Sequence, residues 1–348
     1  MTAKHGLVTG AFGLVGLNLA EELAARGDWA LTTLGRRPSP PLPDQRYVCV
    51  DMLDAEATTK ALAGLADVTH LFFAAFQYKP DPHEEIAVNV AILENTLDAL
   101  RAAGARLKRV VIYQGSKAYG ALMGNMRTPA KETDPRVPGP LFYYDQEDLL
   151  YARGAREGWA TTVLRPDFIA GLGLGSYVNL VNTVAVYGTI CKATGQPMYF
   201  PGGLAAYGAL LQHTDARLLA RGSIWAAEAE HGENVTYNIT NGDLFRWSNV
   251  WPRIADYFGV APGHPLNLDL NLFMRDKREL WAELKRKHGL VVDLDELLDW
   301  SQSYILNAST EVHSSTIRIR KAGFHECLDS DDRLIDLFDE MRARKYIP

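Results

Sequence analysis

Cysteine is scarce in this chain. There are three in 348 residues, Cys49, Cys191 and Cys327, odd in number and far apart. That excludes a disulfide-stapled secreted scaffold and suits reduced residues of a cytoplasmic protein. The Asn-Val-Thr at Asn234 and the Asn-Ile-Thr at Asn238 are accordingly read as chance. No apolar run approaches the ~20 residues that span a bilayer, and Met1 to His5 lead straight into a first strand, so neither a membrane anchor nor a signal peptide is expected. A basic surplus is also missing: the net charge is −6, with no basic stripe, and nucleic acid is excluded as a partner. The nine histidines sit apart without metal spacing, and none is assigned a metal role. There is no internal repeat and no low-complexity segment. What remains is a globular composition, 47% hydrophobic and 22% charged, long enough for two lobes.

The chain is organised around Gly6 to Gly16, an apolar strand, a glycine turn and the first turn of a helix. Its glycines fall as GxxGxxG, one residue looser than the GxGxxG dinucleotide fingerprint. Gly10 allows the sharp strand-to-helix turn, Gly13 lets backbone N–H groups approach a pyrophosphate, and Gly16 lets helix and strand pack closely. Thr9, Gly10, Phe12, Gly13, Leu14, Val15 and Gly16 are therefore candidate cofactor contacts. About twenty residues on, where an NAD-preferring fold carries an acid, stand Gly35, Arg36 and Arg37. Two guanidiniums suit a 2′-phosphate and point to NADPH/NADP+. Asp51, ending the third strand, either meets the adenine amino group or caps a helix beside Asp54.

Periodicity predicts helices over Leu14 to Arg26, Asp54 to Gly64, His83 to Ala103 and Tyr143 to Glu157. It predicts strands at Trp29 to Leu34, Tyr47 to Val50, Val68 to Ala74, Arg109 to Tyr113 and Ala160 to Leu164. The alternation implies βαβ units: an α/β fold, a Rossmann-type doubly wound parallel sheet with a smaller mixed α/β substrate lobe. Residues 1–165 would bind the cofactor and 166–348 mainly the substrate, with about 213–240 returning to the sheet. In the second part, helices are expected over Tyr177 to Thr194, Thr214 to Ala229, Trp247 to Phe258, Asn267 to His288 and Asp331 to Lys345. Strands are expected at Met198 to Phe200 and Val235 to Ile239. The charged run Arg275 to Lys287 reads as a solvated helix face.

The pattern so far is that of an extended short-chain dehydrogenase/reductase, whose members use Ser or Thr after the fifth strand and Tyr-x-x-x-Lys on the next helix. This chain departs at both places. Gly115 stands where that serine would, Lys117 follows two residues later, and four residues after Tyr143 or Tyr144 comes an acid, Glu147 or Asp148. Together with Gly35-Arg36-Arg37, Phe142 to Asp148, Arg165-Pro166, Asn179-Leu180-Val181, Ile190-Cys191-Lys192, Ser223 to Ala227, Asn241-Gly242-Asp243 with Trp247 and the ending Lys345 to Pro348, this resembles the progesterone 5β-reductase/iridoid synthase family of enone reductases.

The resemblance implies Tyr143 as the catalytic tyrosine and Lys117 as its displaced partner. With it, the cofactor set takes in Met52, Ala74, Gln114, Pro166, Phe168 and Ile169, and a dimer is implied. The chemistry is consistent with the residues. Hydride added to the β-carbon of an enone drives charge onto the carbonyl oxygen, and a phenol can hold that enolate by hydrogen bonding. An ammonium nearby lowers the phenol's pKa from about 10, while the α-carbon proton is expected from solvent. Phe73, Phe76, Tyr177, Tyr207 and Phe324 are candidates for an apolar substrate cavity. His213 could reach substrate or serve as a structural histidine. Two rivals stay open: a nucleotide-sugar epimerase or dehydratase on the same fold, which wants the missing Tyr-x-x-x-Lys, and a non-catalytic NADPH-binding protein.

Overall fold

The computed structural model describes residues 4–37, 45–121, 123–124, 126–174, 179–229, 232–298 and 303–348. In chain order the first half reads β1 (Lys4–Thr9), α1 (Leu14–Arg26), β2 (Trp29–Gly35), β3 (Arg46–Cys49), α2 (Ala55–Leu62), β4 (His70–Phe73), α3 (Pro82–Ala102), β5 (Arg109–Tyr113), a 3-10 turn (Ser116–Tyr119), α4 (Phe142–Glu157) and β6 (Ala160–Pro166). The second half reads β7 (Ile169–Ala170), α5 (Leu180–Thr194), β8 (Met198–Phe200), α6 (Leu204–Gly208), β9 (Thr214–Asp215), α7 (Ala216–Glu228), β10 (Val235–Ile239), α8 (Trp247–Phe258) and β11 (Pro262–Pro265). The helices α9 (Leu270–Met274), α10 (Arg278–His288), α11 (Leu294–Leu297), α12 (Ser303–Leu306), α13 (Ile317–Lys321) and α14 (Ser330–Ala343) complete it.

Seven strands form one parallel sheet in the order β10-β6-β5-β4-β1-β2-β3. Parallel strands covered on both faces are apolar throughout. β4, His-Leu-Phe-Phe, is buried at every position. One face packs α2, α3 and α4 around Leu7, Leu71, Leu93, Leu97, Leu150 and Val163. The other packs α1 and α7 around Val8, Leu19, Leu23, Phe72, Leu219 and Ile224. The seventh strand, β10, arrives from late in the chain and lies beside β6, with Val235 opposite Thr162 and Ile239 opposite Pro166.

A third core belongs to α5, α8 and α14. Trp247, Trp251 and Trp281 are fully buried there, with Phe200, Phe258 and Phe338. The indole N–H of Trp251 donates to the Met198 carbonyl (2.8 Å), so this ring is both apolar filler and a polar tie. The single helix expected over Asn267 to His288 is instead two. α9 starts only at its cap, Asp269, whose carboxylate accepts from the Leu272 amide. It closes when the Lys277 amide turns back to the Met274 carbonyl, and α10 then restarts with Arg278 paired to Asp295 at 2.8 Å. Apolar spacing carries across such a break and hides it. No described helix is long and apolar enough to cross a membrane.

Candidate active site

Parallel sheets of this order bind ligands at the carboxyl edge, where the connections from neighbouring strands run in opposite directions. Here that point lies between β1 and β4, and a cavity of about 740 Å³ opens there. Its residues come from the segments that follow β1 to β6, from Ile92 of α3 and Tyr143 of α4, and, from the second lobe, Ile305.

One end is built from backbone. Gly10 takes φ +67°, and a Cβ on it would lie 2.6 Å from the Ala74 carbonyl oxygen. A Cβ on Gly16 would lie 2.3 Å from the Gly10 oxygen, so these two glycines let β1 turn directly into α1. The α1 terminus has Gly13 as its cap position and no side chain bonding its free N–H groups. By contrast α2, α3, α5, α7, α9 and α14 are each capped by an Asp or Asn side chain. The open positive end of α1 thus faces the cavity, as an anionic diphosphate requires. Arg36 and Arg37 lie exposed on the same rim, Arg36 donating to Gln77 Oε1 at 3.2 Å. Asp51 lines the cavity and accepts the Leu53 amide at 3.1 Å, while the helix cap is Asp54, bonded by Ala57 N–H at 2.9 Å. This donor set, an uncapped helix terminus beside two unshielded guanidiniums, fits a phosphorylated dinucleotide.

The other end is built from side chains. Tyr143 and Lys117 both line the cavity. The Tyr143 hydroxyl lies 3.5 Å from the point where a Cβ on Gly115 would sit. Tyr144 is buried and committed elsewhere, donating to the Ala118 carbonyl and accepting the Val137 amide, each at 3.0 Å. Of the two tyrosines only Tyr143 therefore reaches the cavity. Its ring packs edge-on against Phe142, which stacks on Phe76 at 5.4 Å. No salt bridge joins Lys117 to a carboxylate among the described residues, and the residue borders the cavity.

Glu147, at the position of the usual helix lysine, has a structural task. Its carboxylate bonds Arg165 and Arg136, each at 2.9 Å, with the Arg165 and Glu147 side chains only 8% and 5% exposed. Arg165 also donates to Gln114 Oε1 at 2.8 Å, and Gln114 Nε2 donates to the Tyr143 carbonyl at 3.1 Å. Gln114 thereby ties the start of α4 to the end of β6.

The cavity wall includes Gly10, Phe12, Gly13, Leu14, Val15, Gly35, Arg36, Arg37, Asp51, Met52, Ala74, Gln114, Pro166, Phe168, Ile169 and Phe76. Other candidates lie off this wall. Thr9 is buried behind the turn, its hydroxyl oxygen accepting the Ala74 and Ala75 amides at 3.1 Å. Gly16 acts by the close approach just described. Tyr207 is partly buried and packs against Phe200 at 5.0 Å, at the edge of the second-lobe core. Phe73 and Phe324 are core residues on opposite faces of the sheet, and Tyr177 lies outside the described residues. His213 is fully buried, bonded to Asn241 at 2.9 Å, and desolvation holds its pKa down to about 4.

Sequence reasoning missed Asp167, Ser116, Gln212 and Ile305. Asp167 lies just past β6 and lines the cavity beside Ser116. Burial pushes its carboxyl up to about 6. The available signal was position alone, an acid directly after the Arg-Pro that ends a strand at the ligand edge.

Comparison with known proteins identifies relatives. The PRISE-like Rossmann-fold domain matches residues 48–348. The chain is 31% identical to (S)-8-oxocitronellyl enol synthase of Nepeta cataria, over 98% of this chain and 92% of that one. It is 30% identical to 3-oxo-Delta(4,5)-steroid 5-beta-reductase of Arabidopsis thaliana, with the same two coverages. Among solved structures it is similar to UDP-glucose 4-epimerase of Thermotoga maritima with UDP-glucose (TM-score 0.68, 15% identity, 97% of this chain and 99% of that one). The UDP-glucose 4-epimerase of Thermus thermophilus with NAD is alike too (TM-score 0.66, 19% identity, 96% and 99%). At such identities the epimerases share the fold alone.

Proposed function

The chain belongs to the PRISE-like Rossmann-fold family, and from that premise we propose an NADPH-dependent reductase of carbon–carbon double bonds conjugated to a carbonyl, with Tyr143 and Lys117 as its catalytic pair. One observation carries the reading: the Tyr143 hydroxyl lines the cavity beside Gly115, with Lys117 two residues on and an ion-paired Glu147 in place of a helix lysine. When bound, the cofactor supplies a hydride for the β-carbon. Gly10, Gly13 and the open terminus of α1 would hold its diphosphate, and Arg36 and Arg37 would hold the 2′-phosphate. Tyr143 donates a hydrogen bond to the substrate oxygen on which charge accumulates. Lys117 adds positive potential there without needing to pass a proton, which is why an alcohol-oxidising Tyr-x-x-x-Lys is dispensable. Phe76 and Phe168 keep that end apolar, which strengthens both interactions. In this reading residues 1–165 carry the cofactor, about 213–240 return to the same sheet, and the remainder serves mainly the substrate.

The test is NADPH oxidation over a panel of small and steroidal enones. Tyr143→Phe should lower kcat by about 10²–10³-fold, as loss of one oxyanion donor does, with cofactor affinity unchanged. Lys117→Ala should lower it as well. A blank across the panel with wild-type protein overturns the reading, and turnover of sugar nucleotides replaces it with an epimerase. The reading also includes a cytoplasmic homodimer, for which sedimentation of the purified protein is the check.

A further inference from the structure

Asp167 has no part in the mechanism above, yet it lines the same cavity and is only 7% exposed. Its Oδ1 accepts the Ser116 hydroxyl at 2.9 Å and the Phe168 amide at 3.0 Å, and its Oδ2 accepts Gln212 Nε2 at 3.2 Å. Gln212 is fixed in turn by Ser314 Oγ at 2.8 Å. No cation pairs with this carboxyl among the described residues. The three groups around it donate, so a proton on the carboxyl has two outlets. It passes directly into the cavity, or to the Ser116 oxygen, whose own hydrogen then turns outward; Ser116 lines the cavity as well.

The position is suitable. The Pro166 carbonyl, one residue before Asp167, and the Tyr143 hydroxyl lie 3.6 and 3.5 Å from one point, the Cβ that Gly115 lacks. The phenol lies beside Gly115 and the acid is bonded by the next residue, Ser116, so both flank a single turn. We propose that Asp167 is the acid that protonates the α-carbon once the β-carbon has been reduced, directly or through Ser116. The inference rests on the enone-reductase reading. In the step, the enolate C=C pair forms the new C–H bond, the O–H pair stays on the carboxylate, and the carbonyl C=O is restored. Ser116, the Phe168 amide and Gln212 hold the carboxylate until water returns a proton. Burial raises the acid to about 6, so it keeps a transferable proton near neutrality. The other titratable groups of this cavity are Lys117 and Tyr143 near Gly115 and, at the cofactor end, Asp51, Arg36 and Arg37; behind the wall His213 meets the Phe168 ring at 5.5 Å and is held neutral.

The experiment runs the reaction in D2O with NADPH and an enone from the panel. First-turnover NADPH oxidation, steady-state rate and the stereochemistry of α-deuteration are read together, the last by NMR. Wild type should place deuterium on one face. Asp167→Asn should leave first-turnover oxidation within about threefold, lower the steady-state rate by about a hundredfold, and scramble the deuterium, the size expected for loss of a general acid. If the variant does not fold, wild type decides alone: steady-state turnover should fall about tenfold per pH unit above about 6 while first-turnover oxidation stays flat. One-face deuteration at an undiminished rate in the Asn variant, or flat wild-type turnover from pH 5 to 8, overturns the proposal and leaves the reductase reading standing. Failure of wild type to oxidise NADPH with any enone overturns both.

Discussion

The two ends of the cavity are made of different material. The cofactor end is main chain: Gly10 at φ +67°, a helix terminus without a side-chain cap, and Gly16 pressed on the Gly10 oxygen. The reacting end is side chain, drawn from α4, the turn after β5 and the end of β6, and joined by Gln114, Arg165 and Glu147. Main chain can be blocked only by adding bulk, whereas a side-chain constellation can be undone by a change of one atom. The difference means that single side-chain changes should damage the reacting end more readily than the cofactor end.

The largest effect should follow from breaking the side-chain end at its buried charge. Glu147→Gln preserves shape but leaves Arg165 without its carboxylate in a site 8% exposed. Removing one partner of such a pair costs about 3–5 kcal/mol. Urea unfolding should show that loss, and the change should also slacken α4 under Tyr143, lowering kcat beyond what reduced stability explains. An unchanged midpoint would mean that neither ion pair of Glu147, with Arg165 or with Arg136, holds α4 in place. A smaller effect is expected at the main-chain end, where only the rim carries charge. Arg36→Ala removes a charge-assisted contact worth about 1.5–3 kcal/mol. The Kd for NADPH should rise about ten- to a hundredfold while that for NADH stays put, as fluorescence titration can measure. Equal weakening of both cofactors would place the 2′-phosphate elsewhere.

The same contrast decides what was legible in the sequence. β5, β8, β10 and α8 coincide with the runs expected of them, because each keeps its apolar residues at the spacing its structure demands. The glycine turn was legible because a backbone site leaves its mark as absent side chains at fixed spacing. Tyr143 and Lys117 became visible only through a family resemblance, since nothing local joins two residues 26 positions apart. Tyr207 was harder to place because an aromatic in a core and one in a cavity look alike in sequence; in the structure it packs against Phe200. The break between α9 and α10 was invisible since Leu270, Met274, Trp281 and Leu284 keep a helical face across it. Asp167 escaped notice because its partners Ser116 and Gln212 come from segments 51 residues before and 45 residues after it.

The smallest effect sharpens the comparison inside the side-chain end, between Glu147, which is matched by two arginines, and Asp167, which is matched by none. For Asp167 the folded-state pKa, about 6, lies above the value of about 4 in the unfolded chain. Between those values the folded protein binds the extra proton, so this residue contributes stability at pH 4 that is lost as pH rises through about 6. His70 and His213 act in the opposite sense. Burial holds both down to about 4, so their contribution is present above about 6.5 and is lost as pH falls through the same window. Wild-type melting therefore mixes opposed terms, and the difference between two proteins isolates one of them. Asp167→Asn removes only the acid's titration, so its Tm relative to wild type should be higher at pH 7 than at pH 4.5, by on the order of 2–4 °C for a chain of this size. A difference independent of pH would mean that the three donors around Asp167 offset its burial, and that its proton leaves as readily as that of an exposed carboxyl.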